Sequence, residues 1–329
     1  MRVQLHYTMR HDIEQEGLYV NSKGDFKSID QIREDNERNI FPDKKERNLD
    51  FDRVTRYIQE GQEIMTDFEI GQREATFIPQ VEYPDLPIVM LCASDLHYGS
   101  LGVNYPLLLK HLQMVEELPN FFLACNGDEV DAFNAVFHPT GMTENPLPPQ
   151  MQSRAIAKKL EDLDKKGKIA VISQGNHNRS GFAGGQDWYD SFLGQFRCPI
   201  FTQGGIINII HGDQKYRGVI NHTYWGKSKL NPANAVKRMI EYEGGGDVDF
   251  GWVGHVHQST VENFERAGKD VLAVVSGTYK EVDKWASQNG IGGRGQKGGI
   301  AIMMFPHEKR MEGFKNIQTA VDLMVRNYE

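Results

Sequence analysis

Four short apolar runs in this chain each end in a small residue beside Asp, Asn or His, and that coincidence restricts what it can fold into. The first is Leu86-Pro87-Ile88-Val89-Met90-Leu91, which leads into Cys92-Ala93-Ser94-Asp95-Leu96-His97-Tyr98-Gly99. The second, Phe121 to Cys125, runs into Asn126-Gly127-Asp128-Glu129-Val130-Asp131. The third, Ile169 to Ser173, precedes Gly175-Asn176-His177-Asn178, and the fourth, Val248 to Val253, precedes Gly254-His255-Val256-His257. Apolar runs this short, bounded by turn residues, read as buried strands. Side chains two apart on a strand share a face, so Asp95 and His97 point the same way. They sit past the carboxyl end of their strand, where open α/β sheets bind ligands. One such triplet is commonplace on a protein surface; four in this order are not.

Between the runs lie helical patterns. Tyr105–Leu118 carries Leu108, Leu112 and Val115 on one stripe, with Pro106 suited to a first turn. Met151–Leu163 and Ala233–Tyr242 are further helices. Strands are expected at Ala75–Pro79, Ile200–Thr202, Gly205–His211, Tyr216–Asn221 and Ile300–Phe305, with a hairpin turning at Ala267-Gly268. Residues 138–150 and the six glycines of 290–299 read as loops. Strands alternating with helices define an α/β domain.

The set Asp-x-His, Gly-Asp-x-x-Asp, Gly-Asn-His and Gly-His-x-His resembles the calcineurin-like metallophosphoesterases over roughly residues 86–280. Its simple layout resembles bacterial and phage members of the double-strand-break repair exonuclease type. The resemblance implies a four-layer αββα sandwich over 86–312, preceded by an extension (1–85) and followed by a C-terminal helix (313–329). It implies a dinuclear phosphoesterase in which metal-bound hydroxide attacks a phosphodiester, DNA being the expected case. The alternatives are a phosphomonoesterase acting on nucleotides or phosphoproteins, and a scaffold that keeps the fold without turnover.

Two cations close together lower the pKa of a bound water and neutralise developing phosphate charge, and a carboxylate can serve both. The resemblance gives Asp128 that bridging place. Asp95, His97 and His257 would complete one site, and Asn176, His255 and a further histidine the other. His211 and His222 compete for the last place. The pair His211-Gly212 matches the usual dipeptide, whereas the order strand, helix, strand before Gly254 favours His222. Mixed nitrogen and oxygen donors suit Mn first, with Fe, Zn, Co or Ni as alternatives. His177 is expected to be the proton donor to the leaving oxygen, its type suited by a near-neutral pKa. Asn178 stands where the family carries an acid, which bears on pH optimum. Asp131 and Asn178 are expected to support the ligands from behind. Arg179, Lys227 and Lys229 are expected to meet substrate phosphates, with Lys280 and Lys284 on the rim and Tyr224, Trp225 and Trp285 available to stack on a base.

The 329 residues suffice for one large or two ordinary domains. Net charge is −8, of which residues 1–85 carry −7, with 12 Lys/Arg against 19 Asp/Glu. The remainder is near neutral, so no global basic charge argues for nucleic acid, though residues 214–238 hold six Lys/Arg and no acid. No apolar run approaches the roughly 20 residues of a membrane span. The first residues show no signal-peptide core, and three cysteines suggest no disulfide framework, so a cytoplasmic setting without membrane partners is expected. The extension, with an amphipathic helix near Leu49–Phe68 and a helix-permissive stretch capped by Ser28, is expected to pack on the domain or serve oligomerisation, a homodimer being the simplest form.

Overall fold

The computed structural model describes residues 18–20, 26–28, 51–71, 73–132, 144–177, 195–228, 230–244, 247–281 and 297–326. Internal contacts divide the chain into two units, Met1–Asp67 and Phe68–Glu329. In the first, strands β1 (Leu18–Val20) and β2 (Phe26–Ser28) pair antiparallel. Ser28 is the last residue of β2; residues 29–39, where the helix-permissive stretch is expected, lie outside the described residues. Helix α1 (Phe51–Gly71) follows. Phe51, Tyr57 and Ile58 on it are exposed.

The second unit contains two six-stranded sheets. Strand β3 (Glu74–Phe77) opens it, then β4 (Ile88–Ala93), helix α2 (Tyr105–Glu117), β5 (Phe121–Asn126), helix α3 (Pro149–Lys165), β6 (Ile169–Ser173) and β7 (Ile200–Phe201). Next come β8 (Gly205–His211), β9 (Gln214–Asn221), helix α4 (Ala233–Glu243), β10 (Phe250–Val253), β11 (Thr260–Arg266) and β12 (Lys269–Val275). Strands β13 (Ile300–Met304) and β14 (Met311–Phe314) precede helix α5 (Ile317–Arg326). One sheet runs β14-β13-β4-β5-β6-β7 and the other β11-β12-β10-β9-β8-β3.

Period-two alternation builds the layers. On β4, Ile88, Met90 and Cys92 face the other sheet, in one cluster with Phe122, Val171, Ile207, Tyr216, Phe250 and Trp252. Val89, Leu91 and Ala93 face the opposite way, packing with Leu108 and Leu112 of α2, Ile156 and Leu160 of α3, and Val321 of α5. The second sheet's outer face is covered by Val236, Met239 and Ile240 of α4. The result is the αββα sandwich. Strands buried on both faces carry continuous apolar runs, which is why they were legible as runs.

Three details differ from the sequence reading. Helix α3 begins at Pro149, two residues early, its first turn tolerant of a missing N–H. Residues 313–314 belong to strand β14, so the C-terminal helix starts only at Ile317. Strand β3, placed by sequence in the extension, pairs parallel with β8 from Glu74↔Ile206 to Phe77↔Ile209. The expected short helix from Asp187 and most of the loops 138–150 and 290–299 lie outside the described residues. Among those described, no helix is long and apolar enough to cross a membrane. Cys92, Cys125 and Cys198 are buried and free.

Candidate metal centre

Parallel pairing of β4 with β5 and β5 with β6 brings three carboxyl ends to one edge, and β9 and β10 do the same in the other sheet. The loops that leave these ends continue the ladder: Asp95 N donates to Gly127 O (3.0 Å) and His97 N to Asp128 O (3.0 Å). From the second sheet, Gly254 N donates to His222 O (3.0 Å). Carboxylates then cross-link the loops. Asp128 Oδ1 accepts from His177 N (2.8 Å), and Asp95 Oδ2 accepts from His255 N (2.8 Å) and from the Ser94 hydroxyl.

This geometry explains the glycines of the motifs. A Cβ on Gly175 would stand 2.1 Å from Asp128 Oδ1, and one on Gly254 would stand 2.3 Å from Ser94 Oγ. The turns also force Asp95, His97, Asp128, His255 and His257 to positive φ, between 46° and 67°. Non-glycine residues seldom adopt it, Asp and His more readily than most, and such strain gathers at functional sites.

Within the cluster, Asp95 Oδ1 lies 3.1 Å from His257 Nε2 and 3.8 Å from His97 Nε2, and the two ring nitrogens are 3.1 Å apart. On the other side, His222 Nε2 lies 3.0 Å from Asp128 Oδ2 and 3.1 Å from Asn176 Oδ1. Its Nδ1 donates to the Asn126 carbonyl (2.6 Å), which leaves Nε2 facing the cluster. His255 completes a group with Asp128 and His222, and Asp128 also groups with His97 and His177, every ligand atom within 4.8 Å of the others in its group. Asp128 is therefore common to both sides.

The donor set fits divalent metal. Donors sharing an ion at about 2.1 Å stand roughly 3.0–3.4 Å apart, the spacing most of these pairs have. Asp95 Oδ1 is buried, and its one near partner is the His257 ring nitrogen at 3.1 Å. A buried carboxylate oxygen in that condition is costly unless a cation faces it.

Electrostatics divide the histidines. Burial disfavours a charged His222, but the Asp128 carboxylate outweighs it and the pKa is pushed up to about 10. Burial pushes His255 down to about 4 and also lowers His97. Burial would raise Asp128 and Asp95; the His222 charge and the His257 contact, respectively, hold them below the usual range.

All seven sequence-derived ligand candidates meet here. His211 does not: its Nε2 lies 2.8 Å from Leu86 O, away from the cluster. The His177 ring stacks edge-on against His97, 4.7 Å between centroids, with Nδ1 against Asp131 O. The Asp131 carboxylate stands behind His97, Oδ1 to Nδ1 2.8 Å. Lys227 is exposed; partial desolvation lowers its pKa while the Asp95 charge opposes this. Asn178, Arg179, Lys229, Lys284 and Trp285 lie outside the described residues. Lys280 is no rim residue, since its side chain is wholly buried. Apart from Lys280, sequence reasoning passed over the segment Ser276–Tyr279, although Val271–Val275 ends in Ser276-Gly277 in the same manner as the motif strands.

No family model matches this chain, and no curated protein does. Solved structures with a similar arrangement include Vacuolar Protein Sorting 29 from Cryptosporidium parvum, at 12% identity and TM-score 0.38, covering 70% of this chain and 96% of that one. A metallophosphoesterase from Sphaerobacter thermophilus follows at 13% identity and TM-score 0.36, covering 73% and 94%. The Pseudomonas putida nuclease MPE has 14% identity and TM-score 0.30, covering 68% and 87%. At identities and TM-scores this low, none of them carries weight for what this chain does. What the chain itself defines is an αββα protein with a clustered Asp, His and Asn site suited to divalent metal.

Proposed function

We propose that this protein is a phosphoesterase that uses two divalent cations, Mn foremost, to hydrolyse phosphodiesters, with DNA as the substrate. The observation that carries the reading is the convergence of Asp95, His97 and His257 on one side of Asp128 and of Asn176, His222 and His255 on the other. Two cations held there would activate water and neutralise charge on a phosphoryl group. Asp128 supplies the shared negative charge, and the amide oxygen of Asn176 adds a donor without charge. His177, grouped with His97 and Asp128, serves as the acid that protonates the leaving oxygen.

A diester substrate is favoured by what surrounds the centre. Lys227 follows His222 by five residues, and its charge is felt at Asp95 and His255, where a phosphate would arrive. On the same loop Trp225 is 54% exposed, tilted against Tyr224 and Tyr242, with the Arg238 guanidinium 4.3 Å from its ring centre. Exposed aromatics beside cations suit stacked bases on a phosphodiester strand.

The test is Mn-dependent digestion of end-labelled single- and double-stranded DNA, beside a generic phosphomonoester. Wild type should degrade DNA; Asp128→Asn should abolish this, and His177→Ala should lower kcat by about 10²–10⁴ while Mn still binds. Intact DNA with the monoester cleaved would replace the diester reading by a monoesterase one. Cleavage of neither, with Mn bound, would leave a non-catalytic scaffold.

A further inference from the structure

Lys280 is wholly buried, as is the Asp131 carboxylate it meets. Its Nζ donates to Asp131 Oδ1 (3.1 Å) and Oδ2 (3.3 Å), and stands 3.7 Å from Glu144 Oε2. An ammonium at this depth is expensive to desolvate and persists only where several acceptors hold it. Asp131 is equally constrained. Its Oδ2 accepts from Asn145 Nδ2 (2.9 Å), Asn145 Oδ1 accepts from Gln152 Nε2 (2.8 Å), and Gln152 Oε1 accepts from Ala132 N (3.0 Å). Its Oδ1 lies 2.8 Å from His97 Nδ1, with the ring N–H aimed somewhat off that line.

The backbone around Lys280 points to the same ligand pair. Tyr279 N and Thr278 Oγ1 both donate to Asp95 O, at 3.1 and 3.0 Å, and Lys280 N donates to Thr278 Oγ1 (3.0 Å). Residues 278–280 thus hold the Asp95 backbone, which sits at φ 53°, and reach His97 through Asp131. Both ligands of the first motif lean on this one segment.

We propose that Lys280 is a positioning residue for the metal held by Asp95, His97 and His257: it pins the Asp131 carboxylate, and Asp131 fixes the His97 ring with Nε2 turned into the site. This rests on the metal-centre reading above. Lys280 touches neither substrate nor ion. Its charge also compensates Asp131, so that this carboxylate stays behind the histidine and does not join the ligands. Support of this kind is typically worth 10–100-fold in metal affinity.

The experiment is calorimetric titration of the metal-stripped full chain with Mn, with His257→Ala marking which step belongs to this side. Lys280→Met should weaken that step by about 10-fold or more and leave the other step unchanged. Asp131→Asn should weaken it too, and the double variant no further, because Lys280 acts through Asp131. Thermal melts of the metal-free variants separate folding from binding. Should Lys280→Met fail to fold, Lys280→Gln, neutral and one atom shorter, carries the test with an expected loss of about threefold or more. A folded variant at position 280 with wild-type affinity, or additive losses in the double variant, would overturn the inference. Wild type that takes up no Mn would instead sink the metal-centre reading itself.

Discussion

His222 and His255 stack at 5.3 Å between ring centres yet titrate far apart, because one faces Asp128 at contact distance and the other is mainly desolvated. Without metal at pH 7, His222 is charged and His255 neutral. A cation entering beside Asp128 must displace the His222 proton. Binding of Mn to this side should therefore release about one proton near neutral pH, and affinity should rise with pH up to the folded-state value of about 10. Calorimetry in buffers of differing ionisation enthalpy measures the release, and a buffer-independent heat would contradict the assignment. The chemistry of these residues was legible in the sequence, since only side chains of certain types ligate metals, and spacing told which shared a face. Lys280 was misread as rim because burial is set by which strands meet, and Asp131 lies 149 positions away from it in sequence. Likewise the positive φ of Asp95 and His257 follows from how two sheets close on one another, which a local pattern does not carry.

At the scale of elements, the third and fourth motifs are strand ends whose next turn must admit a carboxylate from a neighbouring loop, Asp128 at Gly175 and Asp95 at Gly254. Gly175 is the clearest case, with Asp128 Oδ1 and N at 2.1 and 2.3 Å from where a Cβ would stand. Gly175→Ala should cost about 1–3 kcal/mol by overpacking and weaken Mn binding, because Asp128 must move. Differential scanning calorimetry and a Mn titration check both, and an unchanged melting point with unchanged affinity would count against this packing. Helix α2 offers a test remote from the metals. His111 on it is buried with Nδ1 2.8 Å from Tyr279 Oη, and burial pushes its pKa down to about 4. The unfolded chain takes up that proton near pH 6.5 while the fold resists it. Stability from this group is thus full above about pH 6.5, falls as pH drops, and levels off below about 4, by up to ~3 kcal/mol. His111→Gln should flatten the fall in denaturant midpoint between pH 7 and 4 relative to wild type. Central strands and long helices were readable because burial on both faces, or on one stripe, writes itself into composition. Strand β14, only Met311-Glu312-Gly313-Phe314, was not, since it gains its place by pairing with β13.

For the molecule as a whole, residues 73–86 tie the two sheets together. Strand β3 pairs with β8 in one sheet, Glu74 Oε1 accepts from Asn208 Nδ2 (2.8 Å) and Arg217 Nη1 (2.6 Å), and Phe77 stacks edge-on on Phe122 of the other sheet at 5.5 Å. Further on, the Tyr83 backbone and the Asn120 side chain exchange two hydrogen bonds (3.2 and 2.7 Å) just before β5. Every candidate ligand and every strand of both six-stranded sheets follows residue 73. Deleting Met1–Asp67 should accordingly leave one cooperative thermal transition and wild-type Mn affinity. Deleting residues 1–85, the boundary the sequence suggested, should do neither. It removes an edge strand, uncovers the backbone of β8, and unfastens Asn120, which should lower the melting point by well over the roughly 2–4 °C that each kcal/mol is worth in a domain this size. Running the two truncations side by side in thermal melts and Mn titrations distinguishes a dispensable leader from a structural strap. Equal stability of the two would show that β3 contributes nothing the remaining sheet lacks, and collapse of both would make residues 1–67 part of the folding unit.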